Sequence, residues 1–161
     1  MANLIQSATD NCGFVIVTTV GGTPTIETLS LPIPGGNGNF GNMFDVNAIS
    51  DITVNSFDVH GDTGAIFDVN VWTKVGTHVG SEDDPSAWTL LDTAMGVVSN
   101  GDGVVTPLNL SLGYAIAAGE THAFFVSPIG GGFNYHNGTA VGAIAGADAN
   151  LEVLEGSAKA D

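Results

Sequence analysis

Ala65-Ile66-Phe67-Asp68-Val69-Asn70-Val71-Trp72-Thr73 is the stretch whose reading decides the fold. Ala65, Phe67, Val69 and Val71 share one parity; Ile66, Asp68, Asn70 and Trp72 share the other. Side chains alternate across an extended chain with a period of two, so this is a strand with one buried face. Asp68 and Asn70 would need buried partners on a core face, which makes their side the outer one. Trp72 goes with them.

Outward from this strand the same grammar repeats. Residues 14–20 form an apolar, uncharged strand closed by Gly21-Gly22. Residues 25–31 alternate imperfectly, and Pro32 and Pro34 confine them to a strand edge or end. Residues 35–41 (GGNGNFG) read as a loop. In 49–59, Ile52 and Val54 hold one parity while Phe57 and Val59 hold the other, and that slip at Asn55-Ser56 predicts a β-bulge. A polar loop covers 76–85. Weaker strand material occupies 88–94 and 97–99 around Gly96, and Asn100-Gly101-Asp102-Gly103 is a turn. Leu108, Leu110 and Leu112 alternate with Asn109 and Ser111. A turn at 117–120 feeds a strand at 121–127, with further strands at 134–139, 140–145 and 150–154. Turn signals about every ten residues predict an all-β chain: a single β-sandwich, jelly-roll-like, of about 8–10 short antiparallel strands.

Composition narrows the setting. The 161 residues carry 17 Asp and Glu against two basic side chains, Lys74 and Lys159, for a net charge of −15. Such a surface repels nucleic-acid phosphate and anionic lipid, both of which need Lys or Arg to displace counterions. It suits a chain that stays soluble in salt. Nothing reaches the ~18 apolar residues of a membrane-spanning segment. The start, Met1-Ala2-Asn3-Leu4, lacks a basic leader, so the expectation is an extracellular or cell-surface chain whose signal peptide is absent here. Cys12 is the one cysteine, which rules out an intrachain disulfide and reads as a small buried hydrophobe.

Three stretches carry a resemblance. They are Gly35-Gly36-Asn37-Gly38-Asn39-Phe40-Gly41-Asn42-Met43-Phe44-Asp45-Val46 running into 49–58; Val71-Trp72-Thr73-Lys74-Val75-Gly76-Thr77 leading through Gly80-Ser81-Glu82 to Pro85-Ser86-Ala87-Trp88-Thr89-Leu90-Leu91; and 116–126 followed by Tyr135-His136-Asn137-Gly138-Thr139. Together they resemble a β-sandwich module of secreted, multidomain bacterial surface proteins, often marine, that sits beside adhesion or sorting domains. The resemblance covers roughly 25–156 and implies an extracellular, non-catalytic module. It brings no site residues with it. The division expected is an N-terminal strand or arm at 1–24, docked or exchanged, a β-sandwich module at 25–156, and a truncated tail at 157–161.

Candidate sites follow from residue chemistry. An exposed aromatic ring beside amides and carboxylates grips sugar, because C–H faces stack on the ring while hydroxyls meet the polar groups. Trp72 with Asp68, Asn70 and Tyr135 is the ligand-binding candidate set. Loop carboxylates are what Ca²⁺ takes: Asp58, Asp62 and Asp68 bracket one connection, and Glu82, Asp83 and Asp84 form a run in another. His60, His78, His122 and His136 lack metal-ligand spacing and read as surface or rim residues. There is no G-x-S-x-G elbow and no patterned pair of carboxylates, so no reaction is expected. The function expected is non-covalent binding of a glycan, matrix or surface partner, with Ca²⁺ as a stabilising ion. The alternative is a subunit of an extracellular assembly in which Phe14, Val15, Ile16 and Val17 are donated to a neighbouring copy's sheet.

Overall fold

The computed structural model describes the backbone of residues 4–9, 14–20, 23–31 and 37–159, with side chains from 26–31 and 37–159. Cys12, the Gly21-Gly22 turn, Gly35, Gly36, Pro32 and Pro34 lie outside the described residues. The strands are β1 (Leu4–Thr9), β2 (Phe14–Val20), β3 (Thr23–Leu29), β4 (Asn37–Asn39), β5 (Asn42–Ala48), β6 (Ile52–Val59), β7 (Ile66–Val75), β8 (Thr89–Val98), β9 (Thr106–Pro107), β10 (Tyr114–Ile116), β11 (Thr121–Ile129), β12 (Phe133–Asn137), β13 (Ile144–Ala147) and β14 (Leu151–Lys159). All pair antiparallel, in a nine-stranded sheet ordered β4-β12-β1-β14-β5-β11-β7-β8, with β13 on β14, and a five-stranded sheet ordered β10-β6-β2-β3, with β9 on β6. The chain is therefore an all-β sandwich. Neighbours such as β5, β11 and β7 are not sequential, so the chain crosses between sheets as a jelly-roll-like path requires. Among the described residues, no helix is long and apolar enough to cross a membrane.

The core forms where the alternating faces meet. Phe67, Val69 and Val71 are buried, while Asp68, Asn70 and Trp72 stay half-exposed on the outer face. Phe44 and Phe124 from the large sheet meet Phe57 from the small one, with Phe57 and Phe124 centroids 5.2 Å apart in an edge-on arrangement. Such pairs add about 0.5–1.5 kcal/mol to the area they bury. The bulge expected near Asn55-Ser56 is present: Val15 faces Ser56 and Ile16 faces Val54, so Asn55 is the extra residue. That extra residue moves Phe57 and Val59 onto the core face already occupied by Ile52 and Val54.

Four stretches differ from expectation. The strands number fourteen among the described residues, because short two- and three-residue ladders form outside the expected strand segments; Asn37–Asn39 pairs with β12 within the glycine-rich segment. Residues 108–112 run along β6 without a ladder: the amides of Leu108 and Leu112 bond Phe57 O and Asn55 O, and that of Leu110 bonds the Ser56 hydroxyl. The two pieces expected around Gly96 form one strand, β8 (Thr89–Val98), bent at Gly96 (φ 62°). The last strand does not stop at 154 but continues through Lys159 between β1 and β5, so residues 157–159, expected in a tail, are sheet. Phe14, Val15, Ile16 and Val17 lie in β2, which pairs on both sides within its own chain, with β3 and β6.

Candidate functional site

The outer face of the nine-stranded sheet carries a groove of about 540 Å³. Its floor comes from side chains of one parity on neighbouring strands: Asn70 and Trp72 of β7, Phe125 and Ser127 of β11. Its wall is the 76–88 loop, which contributes Glu82, Asp83, Pro85 and Trp88. Lys159 closes the far side.

Lys159 reaches this face through a second bulge. Leu154 faces Asp45 and Ser157 faces Met43, so β14 spends one residue more than β5 over that interval. Leu151 and Val153 point into the core; without the extra residue Ser157 and Lys159 would share their parity. The bulge turns both outward instead. The Lys159 side chain is 12% exposed, and its Nζ donates to Asp83 Oδ1 at 2.6 Å.

The rings are held in place. Trp88 Nε1 donates to Ser81 O at 2.9 Å, and the Trp88 ring lies 5.9 Å from that of Phe125. Thr93 Oγ1 donates to Asn70 Oδ1 at 2.7 Å, which leaves the Asn70 NH₂ as the donor end of that amide. The groove thus offers apolar ring faces, amide and hydroxyl groups, two carboxylates and one ammonium.

The wall is fastened from below by groups that the sequence does not bring together. His78 is 1% exposed and sits on the sheet beneath its own loop. Its backbone amide and its Nδ1 both meet Asp45 Oδ1, at 2.8 and 2.7 Å, and Thr77 Oγ1 donates to Asp45 Oδ2 at 2.5 Å. Burial works to raise the Asp45 carboxyl, but the bonds from the His78 ring, Thr77 and the His78 amide outweigh it and hold the group below the usual carboxylate range. His78 Nε2 lies 3.5 Å from Ser157 Oγ. The order Asp–His–Ser is that of a hydrolytic triad, yet Ser157 is 2% exposed and lies outside the groove lining. The arrangement ties a loop to a sheet.

Of the expected ligand-binding set, Trp72 and Asn70 line the groove. Asp68 does not: its Oδ1 accepts the Gly96 amide at 2.7 Å and caps the bend in β8. Tyr135 does not either, because it shares the parity of core residue Phe133 and is buried against Ala158. The acidic run divides between two tasks. Glu82 and Asp83 line the groove, while exposed Asp84 accepts from the amide and hydroxyl of Ser86, bonds that lower its pKa. Asp62 and Asp102 share the Asn134 side-chain amide, at 3.2 and 3.3 Å. Among the described residues, no group of three His, Cys, Asp or Glu side chains is placed to hold a metal ion. The histidines correct the sequence reading most: His60, His78 and His122 are buried, and only His136 of the four is exposed.

Asp58 and His60 are a separate buried pair on β6 and its end. Among the described residues, Asp58 Oδ1 and both His60 ring nitrogens make no hydrogen bond of ordinary geometry. Burial raises the Asp58 carboxyl above its usual range. Burial lowers the His60 ring, with the Val104 backbone and the Asp102 charge partly offsetting it. Because the folded-state pKa of Asp58 is raised, the chain loses stability as pH rises from the unfolded value through the folded one. Asp58→Asn escapes that loss. At pH 7 it is expected to be more stable by about 1–2 kcal/mol, or about 3–6 °C in Tm, with the gain fading as pH falls through the folded value and gone below about pH 4. Melting curves at both pH values check this; an unchanged or lower Tm at pH 7 refutes it.

No protein-family model matches the chain, and none of the curated proteins matches it.

Proposed function

We propose that the chain is an extracellular, non-catalytic module whose outer-face groove binds a glycan. The observation that carries this reading is Trp72, Trp88 and Phe125 in one groove with the Asn70 amide, the Ser127 hydroxyl and the carboxylates of Glu82 and Asp83. Ring faces bury the C–H side of a pyranose, and carboxylates and amides take its hydroxyls. The charge balance favours a neutral sugar. Two carboxylates face one ammonium in the groove, within a molecule of net charge −15, so a uronate or sulfate ester would enter against both the local and the long-range field. The acidic surface and the resemblance to secreted bacterial surface modules support the extracellular setting.

A glycan array probed with the purified chain tests the reading, followed by titration of any hit against Trp72→Ala. Neutral glycans are expected to bind. Loss of the Trp72 ring is expected to weaken them at least about tenfold, as for a central aromatic contact. Binding that is indifferent to Trp72, or an array on which only acidic glycans or no glycans bind, overturns it.

A further inference from the structure

We propose that His78, buried outside the groove, is its positioning residue, setting the place of the Trp88 ring through Ser81. The inference rests on the groove being the binding site. The path is a chain of short contacts. Asp45 on β5 holds the His78 ring and the His78 amide from the floor of the sheet. The His78 carbonyl accepts the Ser81 amide at 2.9 Å. The Ser81 carbonyl accepts the Trp88 indole N–H at 2.9 Å. Each link passes position from a rigid strand to a ring in the groove.

The loop needs such a tether. Gly76 and Gly80 flank His78 at φ 80° and 83°, with nothing within 4 Å of where a Cβ would stand, so neither packs the segment down. Within the loop, Ser86, Asp84 and Pro85 are exposed. At its ends the loop meets the sheet through the Gly76 amide, which donates to Thr121 O at 2.8 Å, and the Trp88 ring on Phe125; between them, Asp83 to Lys159 is an ion pair with a largely solvated carboxylate, a class that contributes little. Between the loop's two ends, the contact that fixes this wall is therefore the buried one. The same logic gives Ser157 its place: with Nδ1 committed to Asp45, Nε2 faces the Ser157 hydroxyl and the ring is anchored at both nitrogens.

Trp72 and Trp88 are the chain's two tryptophans, so intrinsic fluorescence reports the groove without any ligand. In a Trp72→Phe background, Trp88 emits alone. There His78→Ala is expected to raise acrylamide quenching of Trp88 about twofold and shift its emission to the red, with the far-ultraviolet β-spectrum retained. Lys159→Met, which removes the rim attachment but not the relay, is expected to leave both nearly unchanged. Equal loosening by the two variants, or a folded His78→Ala with wild-type quenching, overturns the proposal. The unmodified chain supplies a measurement that needs no variant to fold: hydrogen exchange of the Trp88 indole N–H and the Ser81 amide should show protection within about threefold of each other and below that of β11. Protection differing more than tenfold overturns the relay. None of these readouts uses a sugar, so failure of the glycan reading would show on the array and failure of the relay would show here.

Discussion

Asp45→Ala is expected to destabilise the chain by about 3–5 kcal/mol, since each buried donor left without its acceptor costs about 1–3 kcal/mol. Three donors lose their acceptor at once: the His78 amide, the His78 ring and the Thr77 hydroxyl. His78, at 1% exposed, cannot turn to water without lifting the loop. For a chain of this length the loss corresponds to a Tm lower by about 10–15 °C. Its pH dependence has a definite sign. The folded-state pKa of Asp45 is lowered from 3.8, so its contribution is fully present above the unfolded value and disappears as pH falls through the folded one. The gap between wild type and variant should therefore be wide at neutral pH and close in strong acid. Urea melts from pH 2 to pH 7 measure it. A gap below about 1 kcal/mol at pH 7 would show that the Asp45 carboxylate is no anchor, and a gap that persists undiminished at pH 2 would assign its effect to packing.

Gly156→Ala is expected to cost more than about 4 kcal/mol or to prevent folding, a range reached only by a few specific mechanisms. A Cβ at 156 would overlap the carbonyl oxygen of Met43 and crowd the Phe44 backbone. Neither neighbour can swing aside, because both are backbone in β5, the strand paired with β14 and β11. The close approach follows from the bulge, which presses β14 onto β5 between the Leu154–Asp45 and Ser157–Met43 pairs. Gly38→Ala is the control: its nearest contact would be Phe133 O at 3.8 Å, an ordinary van der Waals distance, and the expected change is under about 1 kcal/mol. Parallel thermal melts of the two variants decide the matter. Similar Tm values would mean that β14 does not approach β5 this closely.

Much of the architecture was legible because it depends on near neighbours in the chain. The parity of Phe67, Val69 and Val71 against Asp68, Asn70 and Trp72 located both faces of β7 and put Trp72 and Asn70 on the side where the groove lies. The parity slip at Asn55-Ser56 located a bulge for the same reason. The bulge at Gly156 leaves no mark in the sequence because no strong alternation follows it: Glu155, Gly156, Ser157 and Ala158 are all buried, by different neighbours on different sides. His60, His78 and His122 do not sit at the rim as their sequence context suggests, since a histidine near a turn has no signature of burial until its acceptor is known. For His78 that acceptor, Asp45, stands 33 positions away.

The amino-acid sequence by itself determined the all-β class, the outer position of Trp72 and Asn70, and the strongly acidic surface, since strand alternation and charge are properties of residues and their immediate neighbours. Only the tertiary structure decided that Lys159 and Trp88 face one another's groove, that Asp68 and Tyr135 do not, and that Asp45 and His78 fasten the wall. Those outcomes depend on which strands lie side by side and on where a bulge reverses a face, and both are settled by pairing between segments far apart in the chain.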